Sequence, residues 1–332
     1  MLNENLNLTN LRNGFNVTKE LPIINYKDEI INNLLENNVV IIYGETGSGK
    51  TTQIPKYLFE LELGGDKLIG VTQPRRIAAI NIAKRVAVET SCAIGKEIGY
   101  EVRFNKKSCG STKVKYLTDG ILLNNCINDR RLSEYGIIMV DEAHERALYS
   151  DVLLGLLKEI ISHNNGLKLI ITSATMDVIK FSKYFFDAPI IYIEGRLFDV
   201  EVIYKPLVFI DYVESAAYTV IEIHSNPEKG DILVFLACQE EIENCIEKIG
   251  RMNKLKILPL YSAMEYHEQQ KVFEPAENDE RKVILATTIA ETSLTIDGIR
   301  FIVDCGYSRQ SNFNPTTGID NWGGCSNIKS SS

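Results

Sequence analysis

Short runs of consecutive apolar residues alternate along this chain with stretches in which apolar positions recur every three or four residues. A run of four to six apolar residues has the length of a strand buried on both faces, whereas the wider spacing marks one side of a helix. Tyr26 to Asn37 spaces Ile30, Ile31, Leu34 and Leu35 as a helix does, and the pattern then switches to Val39, Val40, Ile41 and Ile42, a buried parallel strand. From there the chain predicts strand 39–43, a helix from Lys50, strand 67–72, helix 76–90, strand 113–117, helix 119–127, strand 136–140, helix 150–163 and strand 167–171. After a break near Ile193 to Val200, strands resume at 231–236, 256–260, 282–286 and 300–303. Such alternation implies parallel sheets flanked by helices, and the two series imply two α/β domains. Residues 1–22, rich in Asn and Leu without a period, read as a flexible arm, with 23–195 and 196–332 as the domains.

Composition supports this picture. A single core rarely grows past about 250–300 residues, and the chain has 332, with 45% hydrophobic and 24% charged residues, ordinary values for a globular protein. No apolar run approaches the eighteen or so residues of a membrane-spanning helix, and the start, MLNENLNLTN, lacks the basic-then-apolar order of a secretory signal. A soluble protein of the nucleus or cytoplasm is expected. The seven cysteines form no C-x-x-C pair, so reduced structural thiols are expected rather than disulfides or a zinc site. The net charge of −8 argues only weakly against a nucleic-acid partner, because a local track of donors can coexist with an acidic exterior.

The chemistry is concentrated at the strand ends. Gly44-Glu45-Thr46-Gly47-Ser48-Gly49-Lys50-Thr51 fits G-x-x-x-x-G-K-[ST] and stands between a strand and a helix, the context in which backbone N–H groups cradle phosphates. Lys50 would reach the β- and γ-phosphates and the Thr51 hydroxyl would ligate Mg²⁺, with Thr52 beside it. Asp141-Glu142-Ala143-His144 follows an apolar strand, so its carboxylates emerge where ligands of α/β sheets bind. Asp141 would hold Mg²⁺ through water, with Glu142 beside it as a metal neighbour and as the group that orients and deprotonates the attacking water. An acidic helix start is the other reading of this pair. His144 alone carries no information; the four-residue string does.

These strings, in this order, resemble the DEAH/RHA family of superfamily 2 helicases from about Tyr26 to about Pro315. GETGSGKT at 44–51 resembles its first motif, Thr72-Gln73-Pro74-Arg75-Arg76 motif Ia, Thr118-Asp119-Gly120 motif Ib, DEAHER at 141–146 the second and Ser173-Ala174-Thr175 the third, which in the family couples ATP state to domain movement. LVFLACQEEIE at 233–243, LPLYSAM at 258–264 and ATTIAETSLTIDG at 286–298 resemble motif IV, the segment after it, and motif V. The resemblance implies two RecA-like domains of the P-loop NTPase kind, ATP and Mg²⁺ as cofactors, and an ATP-dependent RNA helicase of the splicing or ribosome-biogenesis type, which favours the nucleus. Lys50, Asp141, Glu142, His144, Ser173 and Thr175 would then serve catalysis. Arg75, Arg76, Thr118, Asp119 and Thr287 would line a sequence-tolerant path for a single RNA strand. Arg85 and Phe273 would sandwich adenine, and Asp297 would meet the ribose; the plainer readings are a surface Arg, a core Phe and a turn residue. A monomeric motor within ribonucleoprotein assemblies, with protein activators and no membrane, is the implied setting.

Two departures are small: Ala237-Cys238 stands where motif IV usually has Thr-Gly, and Thr288 where motif V usually has Asn. A third is larger, since the sixth motif, Q-R-x-G-R-x-G-R, is absent from these 332 residues, leaving the second domain incomplete. An arginine finger is worth about 10³–10⁵ in phosphoryl-transfer rate, so this polypeptide is expected to bind ATP but hydrolyse it poorly. A catalytically incompetent RNA- or partner-binding homologue is the alternative, and a P-loop NTPase unrelated to nucleic acid a third.

Overall fold

The apolar runs become the central strands of two separate sheets. The computed structural model describes residues 21–163, 166–175, 178–195, 199–205, 211–276, 280–291, 296–314 and 319–326, with 309–326 in backbone only. Most of the arm expected over 1–22 lies outside the described residues. The chain divides into two compact units between Val200 and Glu201.

In the first unit a short 3₁₀ turn, Pro22–Tyr26, leads into α1 (Lys27–Glu36), β1 (Val39–Gly44), α2 (Lys50–Glu60), β2 (Leu68–Gln73) and α3 (Arg76–Glu89). There follow β3 (Ile98–Val102), β4 (Asn105–Lys107), β5 (Val114–Thr118), α4 (Asp119–Asn128), β6 (Tyr135–Val140), α5 (Leu148–His163), β7 (Lys168–Ser173), α6 (Val178–Tyr184) and β8 (Ile190–Ile193). The strands form one sheet in the order β4-β3-β5-β2-β6-β7-β1-β8, parallel throughout except for the antiparallel β3–β4 pair at one edge. Both faces are covered. Val39, Ile41, Ile138, Val140, Leu169 and Ile171 pack with Leu122 of α4 and Leu153 and Leu157 of α5, while Val40, Ile42, Ile137, Met139 and Ile170, their alternates along the strands, are also buried. That double burial is why these strands read as unbroken apolar runs.

The strands and helices expected as far as 171 all form. The antiparallel β3–β4 hairpin, α6 and β8 do not stand out in the apolar pattern, for an identifiable reason. β3 and β4 turn at Arg103 and Phe104, with Phe104 left-handed at φ 65° and 89% exposed, so the apolar residue at the tip advertises no core. β8 is an edge strand whose alternate residues, Ile190 and Tyr192, face outward.

Helix α2 contains a proline. Pro55 has no N–H, so the carbonyl of Thr51, four residues earlier, loses its helical donor. Tyr116 of β5 fills the gap, its Oη donating to Thr51 O at 3.3 Å. The phenol is fully buried, and that burial holds its pKa well above the ordinary tyrosine value, so it keeps its proton.

The second unit comprises α7 (Tyr212–Ser225), β9 (Asp231–Phe235), α8 (Gln239–Ile249), β10 (Leu255–Leu260), α9 (Tyr266–Gln270), β11 (Arg281–Ala286) and β12 (Ile299–Asp304). Its four strands are all parallel, in the order β10-β11-β9-β12. Asp211 caps α7 by accepting from Val213 N at 2.9 Å. Alternation again splits the core: Ile232, Val234, Val283 and Leu285 pack with α7 and α8, and Leu233, Ile284 and Ala286 with Leu258, Leu260 and Val272. Both units therefore have the RecA-like arrangement of a parallel sheet between helices.

Beyond β12, β13 (Tyr307–Asn314) and β14 (Ile319–Ser326) pair antiparallel, from Tyr307 against Ser326 to Asn314 against Ile319. The hairpin runs on through Ser326, although the sequence likeness fades after Ile319; residues 315–318 lie outside the described residues. Among the described residues no helix is long and apolar enough to cross a membrane.

Replacing Tyr116 by Phe should leave Thr51 O without a partner and lower unfolding free energy by about 1–3 kcal/mol. In a Pro55→Ala background, where the alanine N–H restores the helical donor, the same change should cost clearly less; denaturant melts of the four proteins measure both.

Candidate active site

Strand β1 ends at Gly44 and α2 starts at Lys50, and the five residues between them form a loop that only glycine could close at two places. Gly47 sits at φ 84° and Gly49 at φ 99°, a backbone region L side chains rarely adopt. A Cβ on Gly49 would also fall 2.9 Å from Ile23. Ile23, in the 3₁₀ turn before α1, is buried and donates its N–H to Ser48 O at 3.2 Å, closing the back of the loop. Thr46 and Gly47 are exposed at its mouth. Ser48 Oγ donates to Glu45 O at 2.8 Å. Thr52 Oγ1 is held between Gly49 O at 3.4 Å and Gln53 Nε2 at 3.2 Å.

Lys50 is 6% exposed, and its ammonium curls into the loop, donating to Gly44 O at 2.5 Å, Glu45 O at 2.7 Å and Ser48 Oγ at 3.2 Å. Burial lowers its pKa, and the negative charges of Asp141, Glu142 and Glu45 oppose that shift. The lysine and the acidic pair therefore act on one another electrostatically.

Strand order explains how the acids are held. β2, β6 and β7 are neighbours, with Thr72 opposite Val140 and Val140 opposite Ile171, so Gln73, Asp141 and Thr172 stand one step further at a common level. Asp141 is 2% exposed. Its Oδ2 accepts from Gln73 Nε2 at 2.6 Å, and its Oδ1 accepts from Thr172 Oγ1. Gln73 lies in the string that resembles motif Ia and Thr172 just before Ser173, but that either meets Asp141 is not evident until the strand order is known.

Glu142 carries two kinds of cost. It is left-handed at φ 55°, as is Arg146 at φ 49°, so the turn between them, Ala143–Glu145, is tightly wound. Burial and the neighbouring Asp141 push its pKa up to about 8, against the pull of Lys50. His144 has its pKa lowered, chiefly by burial, and its Nδ1 accepts the Ala174 N–H at 3.2 Å. A neutral ring follows, so the 3.4 Å approach of Glu142 Oε2 to that nitrogen is a contact rather than an ion pair. The Ala174 bond ties the acidic turn to Ser173-Ala174-Thr175, where Thr175 N–H donates to the buried Ser173 Oγ at 3.3 Å and Thr175 itself is exposed.

The expected nucleic-acid residues of this unit cluster at two adjacent strand ends, since Gln73 pairs with Thr118 across β2 and β5. Arg76 is exposed, Thr118 half-buried, and Arg75 half-buried within 3.6 Å of Glu145. Asp119, expected along the same path, opens α4. Its side chain is 3% exposed and accepts from Ser150 Oγ, linking α4 to α5, and burial raises its pKa. Arg85 Nε reaches Glu89 Oε1 at 3.0 Å, and Glu89 Oε2 takes Gln53 Nε2 of α2 at 2.8 Å.

In the second unit Thr287 is half-buried at the start of a 3₁₀ turn, its N–H donating to Leu260 O at 3.1 Å, and Asp297 is exposed. Phe273 packs partly against Leu258, Leu260 and Val272. Buried Lys282 fixes its turn by donating to Val272 O at 3.2 Å and Glu274 O at 3.0 Å, the carbonyls on either side. Residues 292–295 of the motif V string lie outside the described residues.

Among the described residues no group of three or more His, Cys, Asp or Glu could cage a metal.

Comparison with known proteins identifies the family and the fold. Residues 25–182 match the DEAD/DEAH box helicase family and residues 215–319 the helicase conserved C-terminal domain. The chain is 47% identical over 309 residues to the pre-mRNA-splicing factor ATP-dependent RNA helicase prp22 of Schizosaccharomyces pombe, an alignment covering 90% of this chain and 26% of that protein. It superposes on the crystal structure of the Escherichia coli DEAH/RHA helicase HrpB with a TM-score of 0.83 and 34% identity, covering 92% of this chain and 40% of that one. The chain thus spans about a quarter of the length of the first relative and two fifths of the second.

The Glu142 shift has a consequence for stability. Its pKa is near 4.5 unfolded and about 8 folded, so between those values the folded state binds the extra proton and stability falls as pH rises. Without nucleotide, Glu142→Gln should raise Tm at pH 8.5 by more than the ~2–4 °C that 1 kcal/mol gives a domain of this size. The gain should vanish by pH 4. Thermal melts across that range test the sign.

Proposed function

We propose that this chain, which belongs to the DEAD/DEAH box helicase family, is the motor of an ATP-dependent RNA helicase, turning ATP binding and hydrolysis into movement along RNA and remodelling of ribonucleoproteins. The observation that carries the proposal is the convergence of buried Lys50 with Asp141 and Glu142 at the phosphate loop. Residues 23–195 would form the ATP-binding domain and 196–332 its companion. The splicing role stated for the fission-yeast relative supports a place in pre-mRNA processing, and hence the nucleus.

The residues fit a magnesium nucleotide. Thr51 and Asp141 would hold Mg²⁺, with Glu142 adjacent; the bound ion supplies positive charge to the phosphates. The chain's own groups do the rest. The N–H groups of residues 47–51 receive phosphate oxygens at the N-terminus of α2. Lys50 exchanges the carbonyls of Gly44 and Glu45 for the β- and γ-phosphates. Glu142 accepts a proton from the attacking water, for which it must first lose its own. Positive charge brought into the pocket lowers its pKa toward the ionised form. Neutral His144, through Ala174, keeps the Ser173–Thr175 turn in register with that event.

Arg75, Arg76, Thr118 and Thr287 are proposed to grip RNA phosphates and sugars, a mode that carries no sequence information and suits a moving motor. Arg85, Phe273 and Asp297 are proposed as contacts to the nucleoside, with Glu89 holding Arg85.

Nucleotide binding by the purified chain is the deciding measurement. Lys50→Ala should weaken MgATP binding about 10–100-fold, the worth of roughly 1.5–3 kcal/mol for hydrogen bonds to a charged group; unchanged affinity in a folded variant sinks the proposal. Single-stranded RNA should bind with little preference among sequences. Arg76→Ala should weaken it evenly and reduce the slope of log K against log salt by about 0.7. A slope equal to that of the parent chain removes Arg76 from the RNA path.

A further inference from the structure

We infer that Gln73 and Thr172 are positioning residues for magnesium, orienting the Asp141 carboxylate from behind without cancelling its charge. The inference deepens the reading of the pocket as a magnesium-nucleotide site and rests on it.

Three observations lead here. First, Gln73, Asp141 and Thr172 lie at one level on three adjacent parallel strand ends, so their side chains meet by the register of the sheet. Second, each carboxylate oxygen receives one hydrogen bond: Oδ2 from Gln73 Nε2 at 2.6 Å, Oδ1 from Thr172 Oγ1. An ionised carboxylate has about four acceptor sites, so two remain for the water shell of a cation. Third, both donors are neutral. An Arg or Lys in either place would hold the carboxylate equally well but would neutralise the charge that attracts a divalent ion; an amide and a hydroxyl fix its rotation and leave that charge in place. All three residues are nearly excluded from solvent, Gln73 and Thr172 at 0% and Asp141 at 2%.

The direction of the Gln73 amide is also settled. Turning it over would set Oε1 against Oδ2 at 2.6 Å, acceptor against acceptor. Held this way round, Gln73 keeps Oε1 buried without a hydrogen-bond partner among the described residues. A strand residue placed only for packing would not leave a buried acceptor unpaired, because an apolar side chain of similar shape avoids that cost. Gln73 is also two residues from Arg75 on the same strand end, so the group that orients Asp141 adjoins a proposed RNA contact.

The test separates magnesium from nucleotide. Binding of a fluorescent ATP analogue is measured in EDTA and across a Mg²⁺ titration for the parent chain, Gln73→Leu, Thr172→Val and Thr172→Ser. Gln73→Leu and Thr172→Val should each raise the Mg²⁺ midpoint about 10–100-fold, as loss of groups that orient metal ligands commonly does, with metal-free affinity unchanged. Thr172→Ser, which keeps the hydroxyl, should stay near the parent. An unmoved midpoint overturns the inference, and so does an equal loss with and without Mg²⁺, which would mark a general packing role. If Gln73→Leu does not fold, Thr172→Val against Thr172→Ser decides alone. A parent chain whose nucleotide binding ignores Mg²⁺ would overturn the reading of the pocket itself, a result distinct from a magnesium-sensitive parent with indifferent variants.

Discussion

An ammonium group and two carboxyl groups are withdrawn from water at the ends of neighbouring strands, and the rest of the first unit is arranged around that requirement. Taking one ion out of water costs several kcal/mol even after relaxation, whereas fully burying an isoleucine or valine returns about 1.5–3 kcal/mol. A pocket of unpartnered charges would therefore undo the gain from several core residues. Lys50 is satisfied by loop oxygens, and Asp141 by an amide and a hydroxyl. Only a sheet in which β2, β6 and β7 lie side by side brings those donors to that acid. The long apolar strands supply the binding energy that keeps this order fixed, and the polar residues at their tips use the precision it provides.

The proposed site gathers left-handed backbone on both its sides. Glu142 and Arg146 are left-handed without being glycine, and Gly47 and Gly49 occupy the same region across the pocket. Elsewhere among the described residues left-handed positions lie mostly in connecting turns. Strain of this kind persists only where surrounding structure over-determines it. Here the restraints are visible: the Ala174 bond to His144 fastens one side of the acidic turn, and the Arg75–Glu145 contact the other.

Much of this is legible in the sequence, for stated physical reasons. Runs such as Val39 to Ile42 are unbroken because both faces of the strand are covered, and GETGSGKT signals its loop through glycines at φ values that other residues rarely adopt. The burial of Asp119 and its hydrogen bond to Ser150 are not legible in one dimension, because they depend on how α4 packs against α5. The pairing of Gln73 and Thr172 with Asp141 is invisible for a related reason. They are ordinary strand residues whose meaning comes from lateral neighbours, and lateral order is what a linear pattern does not contain. The β3–β4 hairpin escapes because its tip exposes an aromatic ring, reversing the usual sign of the apolar signal.

Pro55 gives the phosphate loop an unusual anchorage. The first turn of α2 is completed by a phenol from β5, a strand more than sixty residues further along, and not by the helix's own backbone. That same strand runs directly into Thr118. The loop proposed to receive one ligand and the strand end proposed to meet the other thus share one strand of the sheet's interior. One hydrogen bond and two residues of strand are all that separate the two tips, with no loop between them.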